Sequence, residues 1–230
     1  PVLDYEKAEE SSVVIHDEDD YHLNSDIGND RRKNICSSEQ FVYNDVEEVL
    51  SQCEHVVDQT YYIKGVNQSM METFRTFTYM DQNSRLNIVS STQIPFHVRR
   101  IASIALDLPM HRIRVIKPRI GGGFGAKQTV ISELYPAIVT LKTGKPAKIV
   151  FDRRETFVTG SNRHPMRIRV RIGSDSQGNI QAIDVDVLSD TGAYGEHGCT
   201  TVGLAGHKTI PLYGKAKASR FTAKVVYTNH

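Results

Sequence analysis

The chain has 230 residues, 39% of them hydrophobic and 24% charged, and a formal net charge of +1. That composition suits an ordinary globular protein with enough chain for one large or two small domains. It offers no bulk attraction to nucleic acid or to a membrane surface, and no apolar run approaches the roughly 20 residues of a membrane span.

Residues 1–45 are polar and read as irregular. The acidic run His16-Asp17-Glu18-Asp19-Asp20 lacks the ligand alternation and glycine turns of a metal loop, so it reads as solvated. The stretch from Asn24 to Lys33 is rich in turn residues, and 1–40 as a whole reads as a surface-hugging connector from a preceding domain. Val46, Val49 and Leu50 predict a short amphipathic helix with Asp45 as its N-cap. A strand over 56–66 follows. Phe74, Thr76, Thr78 and Met80 then alternate along a strand, Asp81-Gln82-Asn83-Ser84 turns the chain, and Leu86, Ile88 and Ser90 return it as a β-hairpin.

Ile94, Val98, Ile101, Ala102 and Ala105 repeat at helical spacing, and Pro95 suits a first helical turn. Gln93 therefore stands just before a helix N-terminus, where its amide serves either as a cap or as a ligand contact; taken alone, capping is the better reading. Ile113 to Ile116 reads as a short strand. Four glycines in five positions follow, Gly121, Gly122, Gly123 and Gly125, interrupted by Phe124. Beyond them Val130, Ile131, Leu134, Ala137, Ile138 and Leu141 predict a helix with Pro136 as a kink or a shortened start and Gly144 as its stop.

A run of this kind lets main chain approach another group closely, because no Cβ intervenes. Placed before a helix, it leaves N–H groups bare for an anion or an oxo group. Phe124 either buttresses the loop or faces a ligand. A P-loop is excluded, because Ala126-Lys127-Gln128 replaces Gly-Lys-Ser/Thr. Gly121, Gly123 and Ala126 formally meet a dinucleotide fingerprint, but the preceding strand is basic and no acid stands about 20 residues on.

The later elements are a strand over 147–151 and a polar helix start at Asp152. A second hairpin joins Met166–Ile172 to Ile180–Leu188, with Arg167, Arg169 and Arg171 on one face of its first strand. That arginine row reads as the wet face of an antiparallel strand rather than a phosphate site. The segment 195–206 is glycine-rich, and its His197 and a nearby His207 have no third ligand beside them, which argues against zinc. A last strand occupies 216–228. Cys36, Cys53 and Cys199 are odd in number, widely separated and in no C-x-x-C pair, so they read as incidental thiols of a reduced intracellular protein. The chain starts on Pro1 and stops within a strand-like run at His230, so a piece of a larger, cytoplasmic polypeptide is expected.

Ile120 to Lys127 closely resembles the glycine loop of the molybdenum hydroxylases, the xanthine dehydrogenase and aldehyde oxidase family. Ser90-Ser91-Thr92-Gln93, the helix after it, Arg163-His164-Pro165 and Asp190-Thr191-Gly192-Ala193-Tyr194 resemble the same family in order and at suitable spacing. The resemblance covers roughly residues 45–230. It implies an α+β fold with mixed and antiparallel sheets, β-hairpins and packed helices, in which 41–230 is the first molybdopterin-binding domain of a large subunit, cut short at its C-terminal end. It also implies hydroxylation of a carbon of an N-heterocycle or aldehyde with oxygen from water, on molybdenum held by molybdopterin, the cytosine dinucleotide form included. Iron–sulfur clusters and FAD on other domains or subunits would carry the electrons away. The implied partners are the rest of the large subunit, those electron-carrying parts and a small-molecule substrate, in an oligomer, with no nucleic acid or membrane.

Carried over residue by residue, Gln93, Gly122, Gly123, Phe124 and Gly125 are the cofactor-binding candidates. Gln93 would reach an oxo ligand through its amide, and Phe124 would stand beside the molybdenum. Gln128 occupies the position where purine hydroxylases hold substrate with a glutamate; being neutral, it argues against a purine. Ala126 replaces a common glycine. The catalytic base glutamate is expected beyond His230, so no catalytic residue is assigned in these 230 residues and they are expected not to turn over alone. The competing readings are a nucleotide-phosphate-binding module that uses loop 121–125, and a structural fragment whose loop only packs.

Overall fold

The computed structural model describes residues 1–19 and 27–230. Asp20 of the acidic run and Asn24 to Asp26 of the turn-rich stretch lie outside the described residues. The chain forms two compact units, one from Pro1–Gly65 with His164–His230, the other from Val66–Arg163. Both contain strands and helices, in keeping with the α+β class. No helix of the described residues is long and apolar enough to cross a membrane.

The first unit is a five-stranded mixed sheet. Its strands are β1 (Ile35–Tyr43), β2 (His55–Ile63), β7 (Met166–Ser174), β8 (Ile180–Asp190) and β9 (Ala218–Val226), in the order β1-β9-β8-β7-β2. Only the β8–β9 pair is parallel. Helix α1 (Val46–Ser51) is capped by Asp45, whose carboxylate accepts from the Glu47 and Glu48 N–H groups, and it buries Val46 and Leu50 against Ala182 and Ala218. Helix α5 (Gly198–Thr209) closes the main core of Val187, Val202, Phe221, Ala223, Val225 and Tyr227.

One segment differs from expectation, and another gains an element. Residues 1–45 are not all irregular, since β1 pairs with β9 along their register from Ile35 to Tyr43. The glycine-rich segment, to which the sequence reading gave no element, is helix α5 from Gly198 on. Glycine is a poor helix former, yet a Cβ at Gly206 would stand 2.4 Å from the Phe221 ring, so close packing requires the residue that propensity disfavours.

The arginine row is a wet face, as predicted. Arg171 and Arg220 converge on Asp184 and Glu47, with Arg171 Nε donating to Asp184 at 2.8 Å and Arg220 Nε at 2.9 Å. Arg169 pairs with Asp58, and Arg167 with Asp186 and Glu6. The four arginines, with Asp184 and Asp186, line a cavity of about 480 Å³. Every guanidinium there already has a carboxylate, which leaves no surplus positive charge for a phosphate.

The second unit carries β3 (Arg75–Met80), β4 (Leu86–Ser90), β5 (Ile113–Ile116) and β6 (Ala147–Val150) in the order β5-β4-β3-β6. The β3–β4 hairpin pairs Met80 with Leu86 across the predicted turn. Helices α2 (Pro95–Ala105) and α3 (Leu134–Thr143) cover Leu86, Ile88, Val98, Ala102, Ile113 and Ala137. Helix α4 (Arg153–Thr159) begins with a capping box between Asp152 and Glu155. Here Pro136 marks a shortened start, one of the two outcomes expected of it. The helix after the glycines starts only at Leu134, with Pro136 in its first turn, so Val130 and Ile131 lie outside it. The Glu133 carboxylate instead accepts from the Ile131 and Ser132 N–H groups and from Ser90 Oγ, holding a non-helical turn.

Candidate functional site

Strand β4 ends at Ser90, and buried Ser91 and Thr92 lead into α2. Thr92 Oγ1 accepts from the Ile94 N–H at 3.1 Å, so the local turn before the helix is made by Thr92 and not by Gln93. The capping reading of Gln93 is therefore replaced. Its main-chain N–H donates to Lys127 O at 2.9 Å, and its Oε1 accepts from the Gly125 N–H at 3.1 Å. The Gly125 donor fixes which end of the amide faces the loop. The opposite end, Nε2, donates to no group among the described residues.

The loop that Gln93 holds is bent by positive φ at Gly122 (93°), Phe124 (51°) and Gly125 (98°). Phenylalanine rarely adopts that region, and such a strained conformation persists only where its surroundings impose it. Phe124 is 65% exposed. Its ring lies beside Gly122, where an added Cβ would meet Phe124 Cε2 at 3.0 Å. Gly123 is buried, and its added Cβ would stand 2.3 Å from Gln93 Oε1, so the amide occupies the space a side chain would need. The N–H groups of Gly122, Gly123 and Phe124 find no acceptor among the described residues. A buried residue with an unpaired N–H is uncommon and calls for a ligand or a water.

Behind the loop lies an ion pair that the sequence reading missed. Lys127 is 1% exposed. Its Nζ donates to Glu72 Oε2 at 2.9 Å and to Ser91 Oγ at 2.7 Å. Glu72 Oε2 also accepts from Ser91 Oγ at 2.6 Å and from the Gly121 N–H at 2.7 Å, while the Glu72 N–H returns a bond to Gly121 O at 3.0 Å. The first residue of the loop is thus tied twice to Glu72. Lys127 sits two residues past the last glycine, a position that could have pointed here. Its partner Glu72 is 55 residues away and carried none.

Burial opposes the charge on Glu72, but bonds from Ser91, Lys127 and the Gly121 N–H outweigh it and hold the carboxyl at about 2 against an ordinary 4.5. Burial likewise pushes the Lys127 ammonium down, and Glu72 resists that shift. A depressed carboxyl stabilises the fold above its unfolded-state value, and that contribution fades as pH falls toward the folded value. The second unit should therefore lose up to about 3 kcal/mol between about pH 4.5 and 2. Acid unfolding followed by circular dichroism checks this, and Glu72→Gln should flatten the loss.

Gln128 is exposed at the loop's exit, with its N–H donating to Gly125 O at 3.2 Å. All six candidate residues, Gln93, Gly122, Gly123, Phe124, Gly125 and Gln128, thus belong to the second unit, on or beside one bend. In the first unit, Asp190 is buried and holds its own turn, accepting from the Gly192 N–H at 2.9 Å and from Thr228 Oγ1 at 2.6 Å. The phosphate-loop reading loses support, because no helix starts directly behind the glycines. The nearest helix N-terminus in sequence contact with the bend is that of α2, through Gln93. Among the described residues no three His, Cys, Asp or Glu side chains gather as a metal site, so a metal at the bend would have to come with its own ligand.

The family described as Molybdopterin cofactor-binding domain matches residues 27–230. The xanthine dehydrogenase molybdenum-binding subunit of Escherichia coli O157:H7 is 37% identical over 185 residues, which are 80% of this chain and 24% of that one. The nicotinate dehydrogenase large molybdopterin subunit of Eubacterium barkeri is 34% identical over 197 residues, 86% of this chain and 46% of that one. The chain thus spans about a quarter of the first relative and about half of the second. Among solved structures, CO dehydrogenase from Oligotropha carboxidovorans matches with a TM-score of 0.79 at 24% identity, covering 99% of this chain and 29% of that one. The aldehyde oxidoreductase of Desulfovibrio gigas matches with a TM-score of 0.78 at 21% identity, covering 90% and 23%. At those identities the two structures speak for the fold alone.

Proposed function

From the chain's membership of the molybdopterin cofactor-binding family of xanthine dehydrogenase and aldehyde oxidase type, we propose that its glycine bend and Gln93 form the protein wall against the metal of a molybdenum hydroxylase. The observation that carries this is the Gln93 amide, whose oxygen is spent on the Gly125 N–H while, among the described residues, neither its Nε2 nor the N–H of buried Gly123 finds an acceptor. Such fixed donors suit an oxo ligand, since their orientation is set before any charge develops.

The residues present fit the cofactor. Gln93 Nε2 and the Gly122, Gly123 and Phe124 N–H groups would face it, and the missing Cβ atoms allow close approach. When bound, the molybdenum centre supplies two-electron oxidation of a carbon with oxygen derived from water. This chain's contribution is to position and to polarise. Phe124 walls the bend and narrows the approach of water, and Gln128 meets substrate with a neutral amide, which suits an N-heterocycle or aldehyde without a purine's anionic demand. Among the described residues no carboxylate at the bend is placed to act as base, because Glu72 is held ionised and bonded to Lys127. We assign the base to a residue outside the 230 present, with the pterin's nucleotide end, iron–sulfur clusters and FAD on other segments or subunits.

The test is metal analysis of the full-length gene product made in a host that synthesises the cofactor. Molybdenum near one atom per catalytic subunit is expected, together with turnover of an aldehyde or N-heterocycle. A product that folds, carries no molybdenum and binds ATP at the bend would overturn the proposal in favour of the phosphate-binding module.

A further inference from the structure

Cys36 and Cys199 are 163 residues apart in the chain, yet their Sγ atoms stand 3.6 Å from each other. Cys36 is the extra residue where β1 shifts register against β9 between Ile35 and Ser37. Such a bulge re-aims a side chain, and here it drives the thiol into the core, where Cys36 is wholly buried beside Val202, Phe221 and Val225. Cys199 is the second residue of α5 and is only part-buried. It lines an open cavity of about 330 Å³ with Glu39, Gly203 and His207. The third thiol, Cys53, is not part of this pair; its Sγ donates to Val49 O at 3.2 Å.

The two sulfurs have different chemistry. Cys199 stands at the N-terminal end of a twelve-residue helix, and the cavity gives small molecules access to it. The hydrogen bond with Cys199, and then burial, push the Cys36 thiol far above its ordinary range, so it stays protonated and shielded. One cysteine is placed to meet an oxidant, and the other to resolve the product.

We propose that Cys36 and Cys199 are a reversible dithiol–disulfide pair, oxidised by hydroperoxides that reach Cys199 from the cavity beside α5. The Cys199 thiolate attacks one peroxide oxygen, the O–O bond breaks, and hydroxide leaves and takes a proton to become water. The resulting sulfenic acid faces Cys36. The Cys36 sulfur then displaces the sulfenic oxygen, which departs with the Cys36 proton as a second water. Two thiols and one hydrogen peroxide give one disulfide and two waters, the sulfurs losing the two electrons that the peroxide accepts. The bond staples α5 to the edge strand β1, and a dithiol reductant reverses it.

The test treats the full-length protein with a small excess of hydrogen peroxide, unfolds it, alkylates the remaining thiols and maps the peptides. A Cys36–Cys199 cross-link as the major oxidised species is expected, with Cys53 still alkylated and dithiothreitol restoring both thiols. Cys36→Ser should trap the sulfenic acid on Cys199, labelled by dimedone, and Cys199→Ser should leave Cys36 unreacted. The proposal is overturned if Cys199 runs on to sulfinic acid while Cys36 stays alkylatable, if Cys199 does not react, or if Cys53 supplies the cross-link.

Discussion

Replacing Lys127 by methionine is expected to destabilise the protein by about 3–5 kcal/mol, the usual cost of deleting one member of a buried ion pair. Methionine fills much of the volume, so the loss is not a cavity effect. It comes from Glu72, which keeps Ser91 and the Gly121 N–H but loses the ammonium at 2.9 Å that offsets its own burial. The carboxyl must then stay charged without compensation or take up a proton and release Gly121. Either way the start of the glycine bend loosens. Since whole domains are stable by only about 5–15 kcal/mol, the variant should unfold at much lower urea. The double variant Lys127→Met with Glu72→Gln should recover part of the loss, because it removes the stranded charge. A single variant within about 1 kcal/mol of the parent would show that water or another group replaces the lysine.

Gly123→Ala is expected to leave stability nearly unchanged yet lower turnover of the whole enzyme on the order of 10²-fold, the scale of losing one oriented donor. The added Cβ meets the Gln93 side chain, chiefly its amide end, 2.3 Å from Oε1 and 2.7 Å from Cδ, with Cγ at 3.1 Å. That end can swing aside at little cost, and the backbone at Gly123 is not left-handed, so alanine is tolerated there. The swing breaks the bond to the Gly125 N–H and turns Nε2 away from the bend. Gln93→Ala removes the same group by another route and should give a similar loss with molybdenum retained. Because both variants act on one amide, the double variant should be no worse than either single one. Additive losses in steady-state kinetics would mean that Gly123 and Gln93 act separately, and unchanged turnover in Gln93→Ala would remove the amide from the site.

Features coded over a few residues were legible without coordinates. The Asp45 cap, the β3–β4 turn at 81–84, Pro95 at the start of α2 and the alternating arginines of β7 all depend on near neighbours, and all were found where the pattern placed them. The misplacements share a cause. β1 looked irregular because its partner β9 lies at the other end of the chain. Helix α5 was left without an element because its glycines answer to Phe221 and other distant atoms rather than to local propensity. Val130 and Ile131 kept helical spacing, but Glu133 spends its carboxylate on their turn.

By itself the amino-acid order determined that four glycines around a phenylalanine form a bare bend and that an amide precedes the α2 helix, because glycine content, turn residues and apolar period act within a few positions. Only the folded chain decided that Gln93 Oε1 grips Gly125 across 32 residues, that Lys127 is buried on Glu72 across 55, and that Cys36 meets Cys199 across 163. Pairings of that reach are set by which strands and helices pack together, and no local period or spacing encodes them.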